Sequence, residues 1–146
     1  MNTIVNRFAS PLELAGRILL ALIFVSSGLN KVGAYAGTQA YMESVGVPGG
    51  LLSLVILTEL GGGLLLAAGL LTRWAALALA GFTLLAAVLF HADFGNQMQM
   101  IMFMKNITIA GGLAVVLSHG AGSWSVDAVL ARRRGTSVQH AGKPVS

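Results

Sequence analysis

Residues 51–71 read LLSLVILTELGGGLLLAAGLL, an apolar run interrupted by one acid, Glu59. About 20 apolar residues cross the ~30 Å hydrocarbon core of a bilayer. A charge near the middle of such a run costs ~2.5–3.5 kcal/mol even on lenient insertion scales. The chain must therefore offset that cost, and what Glu59 faces becomes the central question. The rest of the sequence agrees with a membrane setting. It is 55% hydrophobic and 10% charged, with a mean hydropathy of +0.80, whereas soluble domains carry ~25% charged residues.

Four apolar runs, at about 11–32, 51–71, 74–91 and 98–117, predict an all-α, polytopic membrane protein. The expected architecture is a four-transmembrane-helix bundle with a short interfacial C-terminal helix. The transmembrane domain is expected over residues 1–134, and residues 135–146 read as a disordered cytoplasmic tail. Ser10 and Pro11 read as N-cap and first helical position of the first span. In that span Arg17, Ala21, Phe24, Gly28 and Lys31 form a stripe of polar and small residues. Ile18, Leu19, Leu22 and Ile23 make the opposite face greasy. Residues 39–45 suit a short interfacial helix flanked by Tyr35 and Tyr41. Thr72 and Arg73 read as a tight turn. Ser125 would cap a short helix to Ala131, with Asp127 in its first turn and Trp124 as an interface anchor.

Charge placement sets an orientation. Arg7, Arg73, Arg132, Arg133, Arg134 and Lys143 fall on the side of the termini, while Lys31 at a helix end, Glu43 and Asp93 fall on the other. The positive-inside rule then puts both termini in the cytoplasm of a multi-pass cell-membrane protein. The sequence pI of about 10.1 reflects this topology rather than nucleic-acid binding. The chain has no cysteine, which excludes an internal dithiol relay, thiolate metal sites and thiolate-held iron–sulfur clusters.

Depth along a helix follows from the ~1.5 Å rise per residue, and places Glu59 ~13 Å and Lys105 ~10 Å below the outer surface. Lys105 is therefore the expected partner of Glu59, with Arg17 the alternative if the first helix tilts. Lys31 and His91 should lie above them near the boundary, and Arg17 should lie ~10 Å lower. A Glu59–Lys105 ion pair reads either as a pin that holds helix register or as the floor of a binding site. Asn30, His91, Asn106, Lys31 and Arg17 complete the candidate pocket in the outer, periplasmic half. Glu13 and Arg17, four apart, are expected to form a second, structural pair.

Other chemistry finds less support. His91 and His119 fall near opposite surfaces, which argues against one haem between them. Met98, Met100, Met102 and Met104 alternate and so scatter around a helix instead of clustering for Cu(I). Gly61, Gly62 and Gly63 lie inside a span, where close helix packing rather than phosphate binding explains them. Neither haem nor a metal site is expected.

The order of motifs resembles a known family. It runs Gly16 and Arg17; Ser27, Gly28, Leu29, Asn30 and Lys31; Gly46, Val47 and Pro48; Glu59, Leu60, Gly61 and Gly62. Gly69 through Thr72 and Arg73 follow, then Lys105 and Asn106, Gly111 and Gly112, and Ser125, Val126 and Asp127. Over residues 12–130 the chain resembles the DoxX family of small four-helix bacterial inner-membrane proteins. The resemblance implies a place in a membrane redox system, with Arg17, Lys31, Glu59, His91 and Lys105 toward a quinone headgroup or an oxyanion. It further implies a quinone-linked oxidoreductase partner subunit or a homo-oligomer, besides the lipid bilayer itself. Two other functions fit the same features. One is a non-catalytic accessory or assembly protein of a membrane complex. The other is a small proton-coupled transporter, to which the strong orientation bias is poorly suited.

Overall fold

The structure, a computed structural model, describes the backbone of residues 2–141 and the side chains of residues 8–134. Arg7 as a side chain, Lys143 and the end of the expected tail lie outside the described residues. The described residues form helices and no strand. Four helices, Phe8–Gly33, Gly49–Ala68, Thr72–His91 and Gln97–His119, are long and apolar enough to cross a membrane. The fold is thus the all-α, four-span arrangement that the apolar runs require. Below, the "terminal" half is the one near the 69–71 turn and residues 120–125, and the "distal" half is the opposite one.

The boundaries differ in instructive places. The first span belongs to a continuous helix, Asn2–Gly33, that passes through Pro11. Ser10 caps nothing; its hydroxyl instead meets that of Ser123. A proline removes one backbone donor and crowds the preceding turn, but here the helix runs through it, so the Ser-Pro cue misplaced the start. The turn after the second span is Gly69, Leu70 and Leu71, not Thr72 and Arg73. Gly69 (φ +69°) and Leu71 (φ +49°) are both left-handed, and the third span starts at Thr72. An interfacial helix, Tyr35–Ser44, fills the long connection. The C-terminal helix is Val126–Ala141, so it extends past Ala131 and past the tail boundary expected at Gly135.

The second span is not a uniform α-helix. It opens with a 3-10 turn, Gly49–Leu51, continues as α over Leu52–Ile56, widens to a π-turn over Leu57–Gly61, and returns to α over Gly62–Ala68. Glu59 is the central residue of the π-turn. Such turns insert an extra residue, re-aim the side chains around it and recur at functional sites. Just beyond, the glycines permit close approach. A Cβ at Gly62 would stand 2.9 Å from Leu79, and one at Gly63 2.9 Å from Val25. The small-residue run therefore pins the second span between the first and the third.

The core is small and sits mid-bundle: Ala21, Phe24, Leu66, Ala76, Leu79 and Leu113. The stripe of Arg17, Ala21, Phe24 and Gly28 is buried as expected, while Leu19 and Leu22 face outward. In lipid an outward leucine costs nothing, so helix association rests on packing and polar contacts. The packing is uneven. The third and fourth spans run together along their length, but the fourth touches the first sparsely. Segment Gly62–Ala68 packs on the third span, whereas Leu52–Ile56 stands away from it. The distal half is consequently splayed, and the splay begins at the π-turn.

Candidate functional site

A cavity of about 250 Å³ lies in the distal half, lined from all four spans and the interfacial helix. Glu59 enters it from the second span and is only 4% exposed. Its carboxylate is held from the first span. Lys31 Nζ lies 2.9 Å from Oε2 and donates to Oε1 at 3.0 Å. Ser27 Oγ donates to Oε1 at 3.1 Å and accepts from Lys31 at 2.7 Å. Ser27 and Lys31 are one helical turn apart, so one face of the first span supplies both.

This arrangement corrects the expected Glu59–Lys105 pair. The salt bridge is Glu59–Lys31. The depth estimate placed Lys31 at the boundary by its Cα, but a lysine stem reaches ~6 Å and can bring its ammonium inward. Lys105 also lines the cavity, yet its Nζ donates to Met102 Sδ at 3.3 Å, on its own helix. Asn106 and His91 line the cavity as well, and His91 Nδ1 is 2.7 Å from Gln99 Oε1. Asn30 is exposed and does not line it.

Two polar atoms here are buried without a hydrogen-bond partner. Glu59 Oε2 has the charge contact with Lys31 but no aligned donor, and Thr83 Oγ1 has none either. Thr83 is 3% exposed and lines the same cavity. Buried polar groups are normally satisfied, so the Thr83 hydroxyl on this cavity wall is open to a partner. Thr83 escaped the sequence reading because that reading followed charge, and the third span has none in its middle. Its signal was a lone hydroxyl in a run of Ala, Leu and Phe.

A second cavity of about 350 Å³ lies between the splayed parts of the second and third spans. Its lining is almost wholly apolar, including Leu51, Leu54, Leu85 and Leu89. Met42, Val55, Phe82, Ala86 and Phe90 line both cavities. A polar chamber and an apolar slot thus share a wall.

Arg17 is not part of this site. It is 2% exposed and sits in the terminal half. Its Nη1 donates to the carbonyls of Leu66 at 3.1 Å and Ala67 at 3.2 Å, and its Nη2 to that of Trp124. Leu66 and Ala67 lie at the end of the second span and Trp124 in the loop before the C-terminal helix, and a guanidinium fork suits carbonyls grouped in this way. The expected Glu13–Arg17 ion pair is replaced by these bonds, and the Glu13 carboxylate lies against Gly122 instead. Asp127 closes the same knot. Its carboxylate accepts from the backbone N–H of Leu71 at 2.9 Å and of Thr72 at 3.0 Å, capping the third span from a distant helix. Its own N–H donates to Gly69 O at 2.9 Å. Ser125 caps the C-terminal helix as expected, accepting from Ala128 N–H at 3.2 Å. Burial pushes the Asp127 carboxyl up, but the bonds from Thr72 and Leu71 and the charge of Arg17 outweigh it. Its pKa ends below the ordinary 3.8.

With both halves described, comparison with known proteins becomes informative. The DoxX family model matches residues 12–92, which carry Arg17, Lys31, Glu59, Thr83 and His91. The chain belongs to the DoxX family. Inner membrane protein YqjF of Escherichia coli (strain K12) is 50% identical over 120 residues, covering 82% of this chain and 92% of that protein. Inner membrane protein YphA of the same organism is 34% identical over 123 residues, covering 80% and 88%. No solved structure matches. Both relatives are named as inner membrane proteins, and this DoxX-family chain has four helices long and apolar enough to cross a membrane. The residues divide between two places: Arg17, Gly69 to Thr72, and Ser125 to Asp127 build the terminal knot, whereas Ser27, Lys31, Glu59, Lys105 and Asn106 line the distal cavity.

Proposed function

We propose that this DoxX-family protein is the membrane-embedded binding subunit of a redox system, and that its distal cavity receives a quinone headgroup. The observation that carries the reading is a cavity on which Glu59, Lys31, Lys105, Asn106 and the partnerless Thr83 Oγ1 converge and which adjoins an apolar slot. A polar head would occupy the chamber and an isoprenoid tail the slot. The first cavity falls just short of the ~300–1,000 Å³ of ordinary ligand pockets and the second lies at its lower end, so the two joined fall well within that range.

The lining suits such a head. Lys105 and Asn106 can donate to a ring oxygen, and Glu59 can accept from one or take up a proton there. Lys31 and Ser27 hold the carboxylate in place. The aromatic rings of Phe82 and Phe90 stand where a flat ring would pass from slot to chamber. We further assign the distal half to the periplasmic side, with both termini cytoplasmic, from the positive charge of the terminal side.

The test is direct. The protein is purified from membranes in mild detergent, and its bound lipid is extracted and analysed for quinone. Quinone should co-purify in stoichiometric amounts and fall several-fold in Glu59→Gln. A wild-type extract with phospholipid but no quinone, together with unchanged quinol-coupled activity in the variant, sinks the reading.

A further inference from the structure

Both tryptophans of the chain stand on the terminal side. Trp74 lies in the first turn of the third span and is 71% exposed. Trp124 precedes the C-terminal helix and is 57% exposed. Such rings settle at the headgroup level of a bilayer, where the apolar body and the polar N–H are both accommodated. The backbone at Trp124 is fixed, because its carbonyl accepts from the buried Arg17. The start of the C-terminal helix is fixed too, since Asp127 caps the third span and donates its own N–H to Gly69 O. The helix therefore leaves the bundle at the boundary of the hydrocarbon core.

Its opening turns are two-sided. Asp127 and Ala128 are half-buried toward the bundle, and Arg132 ties back by donating to Ser123 O at 2.9 Å. Val126, Val129 and Leu130 are exposed. At ~100° per residue they share an arc of about 100°. The arc continues at Arg133, and Arg134 stands on its edge. An apolar stripe that ends in cations beside an exposed tryptophan is the pattern of a helix lying in the membrane interface. The carboxylates of this side do not offset the charge at the surface, because Asp127 accepts from backbone N–H groups and Glu13 lies against Gly122.

We propose that this stripe and its arginines bind the anionic phospholipid headgroups of the adjoining leaflet. A phospholipid layer supplies both things the helix presents for: phosphate oxygens for the guanidinium forks and acyl chains for the stripe. A dissolved anion supplies only the first. The surface is separate from the distal cavity, so the proposal does not depend on the quinone reading.

The experiment reconstitutes the full chain in vesicles of phosphatidylcholine and phosphatidylglycerol, with one lipid or the other carrying brominated chains that quench tryptophan on contact. Both tryptophans stand at this surface, so their emission reads its lipid shell. Each arginine near the surface contributes about fivefold, and phosphatidylglycerol should be preferred at least ~10-fold. The preference should fall at least ~5-fold in Arg133→Gln/Arg134→Gln, which leaves the Arg132 tie intact, and likewise in wild type at ~1 M salt. Equal quenching by the two lipids in wild type overturns the proposal. A double variant that keeps the full preference overturns it as well, because the arginines are then not what binds. Parity between the lipids together with tight binding of a polyglutamate peptide assigns the surface to an acidic protein partner and removes the lipid. Should the double variant fail to fold, wild type decides alone: a preference unchanged by salt overturns the proposal.

Discussion

The two halves of this bundle each bury a charge, and they treat it in opposite ways. In the terminal half Arg17 gives its guanidinium nitrogens Nη1 and Nη2 to three backbone carbonyls from two other segments. Asp127 matches it with two backbone N–H groups. In the distal half Glu59 is held by side chains alone, Lys31 and Ser27, beside a cavity and a splayed pair of helices. Buried groups that are satisfied rigidify a fold, and those left unsatisfied cost stability unless something else fills the place. Each half leaves polar atoms without a partner, Arg17 Nε and Thr72 Oγ1 in the terminal half and Thr83 Oγ1 in the distal one; the difference is that the terminal charge is spent on backbone groups of other segments, whereas the distal charge stands on a cavity wall.

That contrast can be broken by substitution. The largest effect is expected from Arg17→Met, which strands several helix-end carbonyls. Removing one partner of a buried charge contact costs about 3–5 kcal/mol, so thermal unfolding in detergent should shift steeply downward or the folded yield should vanish. Arg17→Lys should not restore it, because a point charge cannot fork between carbonyls. Unchanged stability in both would end the distinction between the halves.

Gly69→Val comes next. Its backbone is left-handed, and an added Cβ would run into Arg17 and the Ser125 side chain. Backbone strain and overpacking together suggest about 2–4 kcal/mol, read by the same unfolding assay. Tolerance of valine would mean that the knot is loose.

Asp127→Asn should cost about 1 kcal/mol, as for loss of a helix cap. It also has a pH signature. The Asp127 pKa is depressed in the folded state, so its stabilisation is fully present above the ordinary aspartate value of 3.8. It is lost as pH falls through the lower folded value. Wild type should therefore lose stability below about pH 4 by more than the variant does. Parallel acid profiles for the two would remove Asp127 from the knot.

Glu59→Gln should have the smallest effect on stability, within about 1 kcal/mol, because Lys31 is a quarter exposed and can turn to solvent or headgroups. Its effect should appear in the ligand instead. A collapse of the fold in this variant would make the distal half as structural as the terminal one.

The site was only partly legible. The level of Glu59 and its inward face followed from the 1.5 Å rise and from the neighbouring glycines. Its partner did not, because Cα depth ignores the reach of a lysine stem. Arg17 was placed at the right depth but assigned to the wrong chemistry. Its partners are backbone carbonyls at the end of the second span and in the loop before the C-terminal helix, and no residue type marks a carbonyl. Asp127 was read as serving its own helix, but it caps another more than fifty positions away.

The apolar run lengths and the spacing of charges, by themselves, determined the four spans, the fold class and the cost attached to Glu59. Those quantities depend on local composition and on a solvent that penalises any polar group. The tertiary structure alone decided which cation meets Glu59, which carbonyls meet Arg17, and where the bundle opens. These depend on the π-turn at Leu57–Gly61 and on the close approach at Gly62 and Gly63. Both rotate whole faces, and neither leaves a periodicity in the sequence.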